Sequence, residues 1–72
     1  MDERHRTVLS AAYAYVGGAS FKQLQKDTGL DSDELTEAIE QLNAGGLLSV
    51  RPLPGRRIVF SVTTLGADEL AK

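Results

Sequence analysis

"GLDSDELTEAIEQLNAGGLL", residues 29–48, is the stretch whose reading decides the fold. Gly29 suits the left-handed backbone of a tight turn, so it ends whatever helix precedes it. Leu30 follows as a buried turn residue. Asp31 stands where a helix N-cap is expected, and Glu34, three positions on, completes a capping box. Leu35, Ala38, Ile39 and Leu42 then recur at helical spacing, which predicts one inward stripe, and Gly45-Gly46 closes the helix. The outward positions are unusual. Residues 31–46 hold Asp31, Asp33, Glu34, Glu37 and Glu40 and no Lys or Arg.

Upstream, Leu9, Ala12, Tyr13 and Val16 fall at i, i+3, i+4 and i+7, with Val8 and Tyr15 widening the stripe. This spacing predicts a first helix over residues 2 to about 16. Asp2 and Glu3 lie in its first turn, where they complement the positive end of the helix dipole, and Gly17-Gly18 stops it. Ser20 is then the N-cap of a short second helix, "FKQLQKDTG" (21–29), with Phe21, Leu24 and Gln25 facing inward.

Downstream, the period changes from 3.6 to 2. "LLSVR" (47–51) and "RIVFSVT" (57–63) have the composition of strands, and Ile58, Phe60 and Val62 alternate toward one face. "PLPG" (52–55) between them holds both prolines of the chain, which predicts the turn of a hairpin. Thr63 or Thr64 caps a last helix, "LGADELAK" (65–72), that packs Leu65 and Leu70. Three arginines, Arg51, Arg56 and Arg57, cluster at this hairpin with no acid among them. The chain's charge is therefore segregated.

The remaining features bound the function. With 72 residues the chain is expected to be one domain, and its 42% hydrophobic and 25% charged content is that of a globular protein. It has no cysteine, which removes disulfide and thiolate chemistry and suits a reducing, cytoplasmic compartment. No apolar run reaches the roughly 20 residues of a membrane span, so no membrane partner is expected. His5 is the only histidine; without cysteines or a second histidine it has no metal-ligand set. No serine lies in a G-x-S-x-G context, and there is no glycine-rich phosphate loop. An enzyme, a cofactor and a bound metal are all unexpected.

The order of three helices, a hairpin and a helix, with a glycine turn between the second and third helices, resembles the winged helix-turn-helix domain. It is similar in detail to compact regulators of the MarR-like and ArsR-like type. "SFKQLQKDTGLDSDELTEAIEQLNAGGLLSV" (20–50) carries S-x-x-x-L-x-x-x-T-G-L, the L-x-x-x-I-x-x-L stripe and a closing G-L-hydrophobic. Val62, Thr63 and Gly66 match the hydrophobic-T-x-x-G that leads out of the wing. The resemblance covers nearly the whole chain. It implies one α+β winged helix-turn-helix domain over residues 1–72, with a three-helix core, a two-stranded β-hairpin wing and a short C-terminal helix.

What the resemblance implies for function is double-stranded DNA binding as a small transcriptional regulator or regulator domain. The third helix, about 32–44, would enter the major groove with its N-terminal half and outward face. Ser32, Asp33, Glu34, Thr36, Glu37, Glu40 and Gln41 occupy those places, and of these Ser32, Thr36 and Gln41 are of the types relatives usually carry. Arg51, Arg56 and Arg57 fall on the wing that contacts the backbone, with Lys22 as a further cation.

Two readings of the acidic helix stay open. Unit charges ~7 Å apart in water interact by about 0.6 kcal/mol, so four exposed acids oppose phosphates by roughly 2 kcal/mol. One good base contact contributes a comparable ~1–3 kcal/mol. A Glu also accepts a hydrogen bond from the cytosine N4 amino group, so Glu34 or Glu37 can specify a base. The alternative is a protein-interaction winged helix whose acidic face docks on a basic partner, without DNA. The plainer account of these acids is a solvated surface, and of the arginines, protection of an edge strand. Monomer and homodimer are both open.

Overall fold

The computed structural model describes residues 2–72. In chain order these form α1 (Glu3–Tyr13), α2 (Phe21–Thr28), α3 (Ser32–Ala44), β1 (Leu48–Leu53), β2 (Arg57–Val62) and α4 (Thr64–Leu70). This is the α+β winged helix-turn-helix architecture that the sequence pattern implied.

The α3 stripe forms as its spacing requires: Leu35, Ala38, Ile39 and Leu42 are all buried. They meet Val8, Leu9 and Ala12 of α1, Leu24 of α2, Leu48 of β1 and Phe60 of β2 in one cluster. Phe21, Leu30 and Leu70 pack half-buried at its margin. Gln25 is likewise only half-buried, and its amide donates to the Ser32 hydroxyl at 3.3 Å, tying α2 to the start of α3. Gly29 adopts φ 74, as the turn between these helices demands.

Several boundaries differ from expectation. α1 ends at Tyr13, and beyond it the backbone bonds run Ala14 N–H to Ala11, Tyr15 N–H to Ala12 and Gly18 N–H to Tyr15. These are i to i+3 bonds, which tighten the turn and swing later residues off the α-helical stripe. Val16 is therefore fully exposed, while Tyr13, still within α1, lies at the margin of the stripe set by Val8, Leu9 and Ala12 and is 62% exposed. Asp2 is the N-cap of α1, accepting from the Arg4 N–H, instead of lying within its first turn.

The reciprocal capping box also sits elsewhere. Asp31 caps α3 by accepting from the Glu34 N–H at 2.8 Å, but the Glu34 side chain reaches across to Arg4. The complete box is at α2, where Ser20 accepts from the Gln23 N–H and the Gln23 side chain accepts from the Ser20 N–H.

β1 and β2 pair antiparallel from Leu48 with Val62 to Leu53 with Arg57. Pro52 and Leu53 thus belong to the strand, and the turn is confined to Pro54, Gly55 and Arg56. β1 pairs on one side only, where a residue lacking an N–H is tolerated. On the other side of β2, Ala19 forms a two-way bridge with Phe60, its N–H donating to the Phe60 carbonyl at 2.9 Å and its carbonyl accepting from the Phe60 N–H at 2.8 Å. The buried Ala19 is a small extra pairing that helix and strand periodicity did not reveal.

At the foot of the hairpin, Thr63 caps α4 through the Gly66 N–H at 3.0 Å and donates its hydroxyl to the Gly46 carbonyl at 2.7 Å. Gly66, not Leu65, is buried there, and Leu65 is 51% exposed. A Cβ on Gly66 would collide with the Leu47 carbonyl oxygen and come within 2.9 Å of Val62 Cγ1. The hydrophobic-T-x-x-G motif is thus a close approach of α4 to the root of the wing.

Candidate nucleic-acid interface

The outward side of α3 carries Asp33, Thr36, Glu37, Glu40 and Gln41, all exposed, with exposed Ser32 at the helix start. They lie opposite the buried stripe because the same 3.6 periodicity that buries Leu35 and Ile39 turns these positions out. The side chains are presented on a packed helix. Its backbone is fixed by the core and its first turn by the Asp31 cap.

Glu34 separates from this set. Its carboxylate lies 3.3 Å from the Arg4 guanidinium of α1, both side chains being about two-fifths exposed. A pair so exposed contributes little to stability, but it neutralises Glu34 and draws it to the α1 flank. Among the described residues the other ion pair joins Lys72 to Glu69 in α4. Asp33, Glu37 and Glu40 therefore have no cationic partner among the described residues. Gln41 donates through Nε2 to Glu37 Oε1 at 3.4 Å, one helical turn apart. Asp31 is occupied as a cap. The sequence's four opposing acids are three in the folded protein.

The wing arginines are arranged by the strand register. Arg51 lies opposite Val59 and Arg57 opposite Leu53, so both belong to the hairpin face that alternates away from Leu48 and Phe60. Arg56 occupies the turn with φ 61, the only positive value at a non-glycine among the described residues. A left-handed backbone costs such a residue roughly 1–2 kcal/mol, so the tip holds a strained arginine. All three arginines are exposed. An open groove of about 470 Å³ runs between β2 and the start of α2, lined by Arg57, Leu53, Ile58, Gly18, Ser20 and Gln23. Lys22 is exposed in the first turn of α2, beyond this lining.

Two further polar contacts were not legible in the sequence. Arg6 donates to the carbonyls of Glu69 and Leu70 at 3.5 and 3.4 Å, where the negative end of the α4 dipole lies. The Tyr15 hydroxyl donates to Asp27 of α2. That hydrogen bond, with desolvation and the neighbouring negative charge, raises the Tyr15 ionisation above its ordinary value. Both contacts join residues that only folding brings together, so no spacing rule finds them.

Among the described residues no group of acids and histidines could hold a metal ion, and no helix is long and apolar enough to cross a membrane. No protein-family model matches the chain, and no curated protein does. Solved structures do. The PcaV transcriptional regulator of Streptomyces coelicolor, in complex with its natural ligand, is 26% identical and superposes with a TM-score of 0.90 over 99% of this chain and 51% of its own. BpsR of Bordetella bronchiseptica, whose DNA binding is regulated by 6-hydroxynicotinic acid, is 26% identical, with a TM-score of 0.87 over 99% of this chain and 55% of its own. A MarR family transcription regulator at 18% identity superposes with a TM-score of 0.88 over 99% of this chain and 48% of its own, which speaks for the fold alone. The structural neighbours are thus winged-helix transcriptional regulators, MarR family members among them, and the chain spans about half the length of each of these three.

Proposed function

We propose that this chain binds double-stranded DNA as the winged-helix module of a transcriptional regulator. The observation that carries the reading is the superposition of nearly the whole chain on DNA-binding regulators. In this docking α3 enters the major groove with its N-terminal half and outward face and presents Ser32, Asp33, Thr36, Glu37, Glu40 and Gln41. Glu34 stays on the α1 flank with Arg4. Arg51, Arg56 and Arg57 of the wing lie along the backbone, and Lys22 meets a phosphate from the start of α2.

The electrostatics favour a division of labour. Affinity that does not depend on sequence comes from phosphate contacts and the counterions they release, and α3 contributes none. That part falls to the wing and α2, while α3 is left with base edges. Helix-turn-helix proteins commonly pair so that two recognition helices meet half-sites one helical turn apart, and a homodimer belongs to this proposal.

Fluorescence anisotropy on a labelled duplex, across a salt series, tests the docking. Arg56→Ala and Arg57→Ala should each weaken binding on every sequence and flatten the salt slope by about one. Unchanged affinity in both variants would remove the wing from the interface. Absence of binding even at low salt would leave the acidic face of α3 for a basic protein partner. Sedimentation of the free and DNA-bound chain reads the oligomeric state.

A further inference from the structure

Resting on the DNA-binding reading above, we infer that Glu37 selects a cytosine in the major groove and that Gln41 positions its carboxylate for that contact. The outward face of α3 is rich in acceptors. Its side chains are Asp33, Glu37 and Glu40 with only Ser32, Thr36 and Gln41 able to donate, and it has no cation. Each base pair offers one amino donor in the major groove, adenine N6 or cytosine N4. An ionised carboxylate accepts only, so it must meet one of these two.

The two donors are not equivalent for a carboxylate. Adenine N6 stands beside the N7 acceptor, and guanine presents N7 and O6, both acceptors. A second carboxylate oxygen near either purine edge is repelled. In its pair cytosine N4 has an acceptor, guanine O6, on one side only, whereas adenine N6 lies between adenine N7 and thymine O4, so cytosine is the base an acceptor-only side chain prefers.

The structure also picks the residue. Asp31 is spent on the α3 cap, and Glu34 is drawn to Arg4. Asp33 is short, and no hydrogen bond or ion pair orients its carboxylate among the described residues. Glu37 lies near the middle of the helix, and Gln41 Nε2 donates to its Oε1 at 3.4 Å. Helical side chains slant toward the N-terminus, so Gln41 reaches back to hold Glu37 by one oxygen. That leaves Oε2 free to accept from a base. Glu40, by contrast, has no hydrogen bond or ion pair among the described residues.

The experiment is selection of bound duplexes from a randomised pool by the whole chain, followed by affinity measurements with each base pair of the selected site replaced in turn. The site should contain a C·G pair whose replacement weakens binding by about tenfold, the scale of one specific base contact. Glu37→Gln, which can both donate and accept, should shift that position alone toward adenine, by a similar factor. Gln41→Ala should weaken the cytosine preference without changing the preferred base. Bound duplex with an unaltered preference in Glu37→Gln overturns the assignment to Glu37 alone. An unaltered preference in Gln41→Ala overturns the positioning role. A chain that binds no duplex at low salt overturns both this inference and the docking it rests on.

Discussion

The buried stripe of α3 runs the length of the helix from Leu35 to Leu42, whereas the wing hairpin meets the core only at its root, through Leu48, Phe60 and Val62. Past that root Val50, Leu53 and Ile58 are 41%, 37% and 51% exposed. In α3 the buried stripe and the exposed acidic face lie on opposite sides of one rod. In the wing the buried and exposed parts lie at opposite ends of one ribbon. The helix is therefore rigidly presented, and the arginines stand on a segment that the core scarcely constrains. The charges divide along the same line, acids on the fixed element and bases on the free one.

The largest effect separates the two directly. Leu42→Ala should cost about 2–5 kcal/mol, the usual loss for a buried leucine, while Ile58→Ala should cost under about 1 kcal/mol in urea denaturation. Equal losses would mean that the tip of the wing is packed after all. Next in size is Gly66→Ala at the root, where the added methyl meets the Leu47 carbonyl. Overpacking of this kind costs about 1–3 kcal/mol, and an unchanged melting temperature would show that α4 is free to shift.

A smaller effect, of opposite sign, is expected at the tip. Arg56→Gly should raise stability by roughly 1 kcal/mol by relieving the left-handed backbone, and the same change should weaken any DNA complex. A thermal melt that falls instead would mean that the arginine side chain supports the turn. The smallest effect lies between the helices. Tyr15 ionises above the ordinary tyrosine value of 10.0 because Asp27 accepts its proton-bearing hydroxyl. Its neutral form is the favoured one. The contribution is whole below pH 10 and is lost as pH rises through the raised value. In Tyr13→Phe an ultraviolet titration reports Tyr15 alone, and a midpoint at or below 10 would show the contact to be open in solution.

The elements most legible in the sequence were those fixed by local rules. The α3 stripe, the Ser20 and Asp31 caps and the alternation around Phe60 each follow from spacing within one element, and of the two threonines that spacing offered for α4 the cap is Thr63. Legibility failed where tertiary contact overrode a local pattern. Glu34 had the position of a capping-box residue, and Arg4 took its side chain. Val16 kept the helical phase on paper while the backbone had already tightened after Tyr13. Leu65 had the hydrophobicity for a core position, yet the close approach at Gly66 turns it to solvent. On the wing the exposed arginines were visible as a cluster, but the strain at Arg56 depends on a turn over residues 54–56, where the prolines suggested 52–55.

The pairing of Ala19 with Phe60 joins residues far apart in the chain. It closes a loop that contains α2, α3 and β1, so it cannot form early at low entropic cost. Closure entropy grows slowly with loop length, about 0.6 kcal/mol per doubling, but non-local contacts of this kind are the ones that slow a folding reaction. The helices can collapse through neighbours in sequence. Joining the hairpin to Ala19 is thus one of the non-local steps that this fold requires, beside the still longer closure that brings Arg6 to the end of α4.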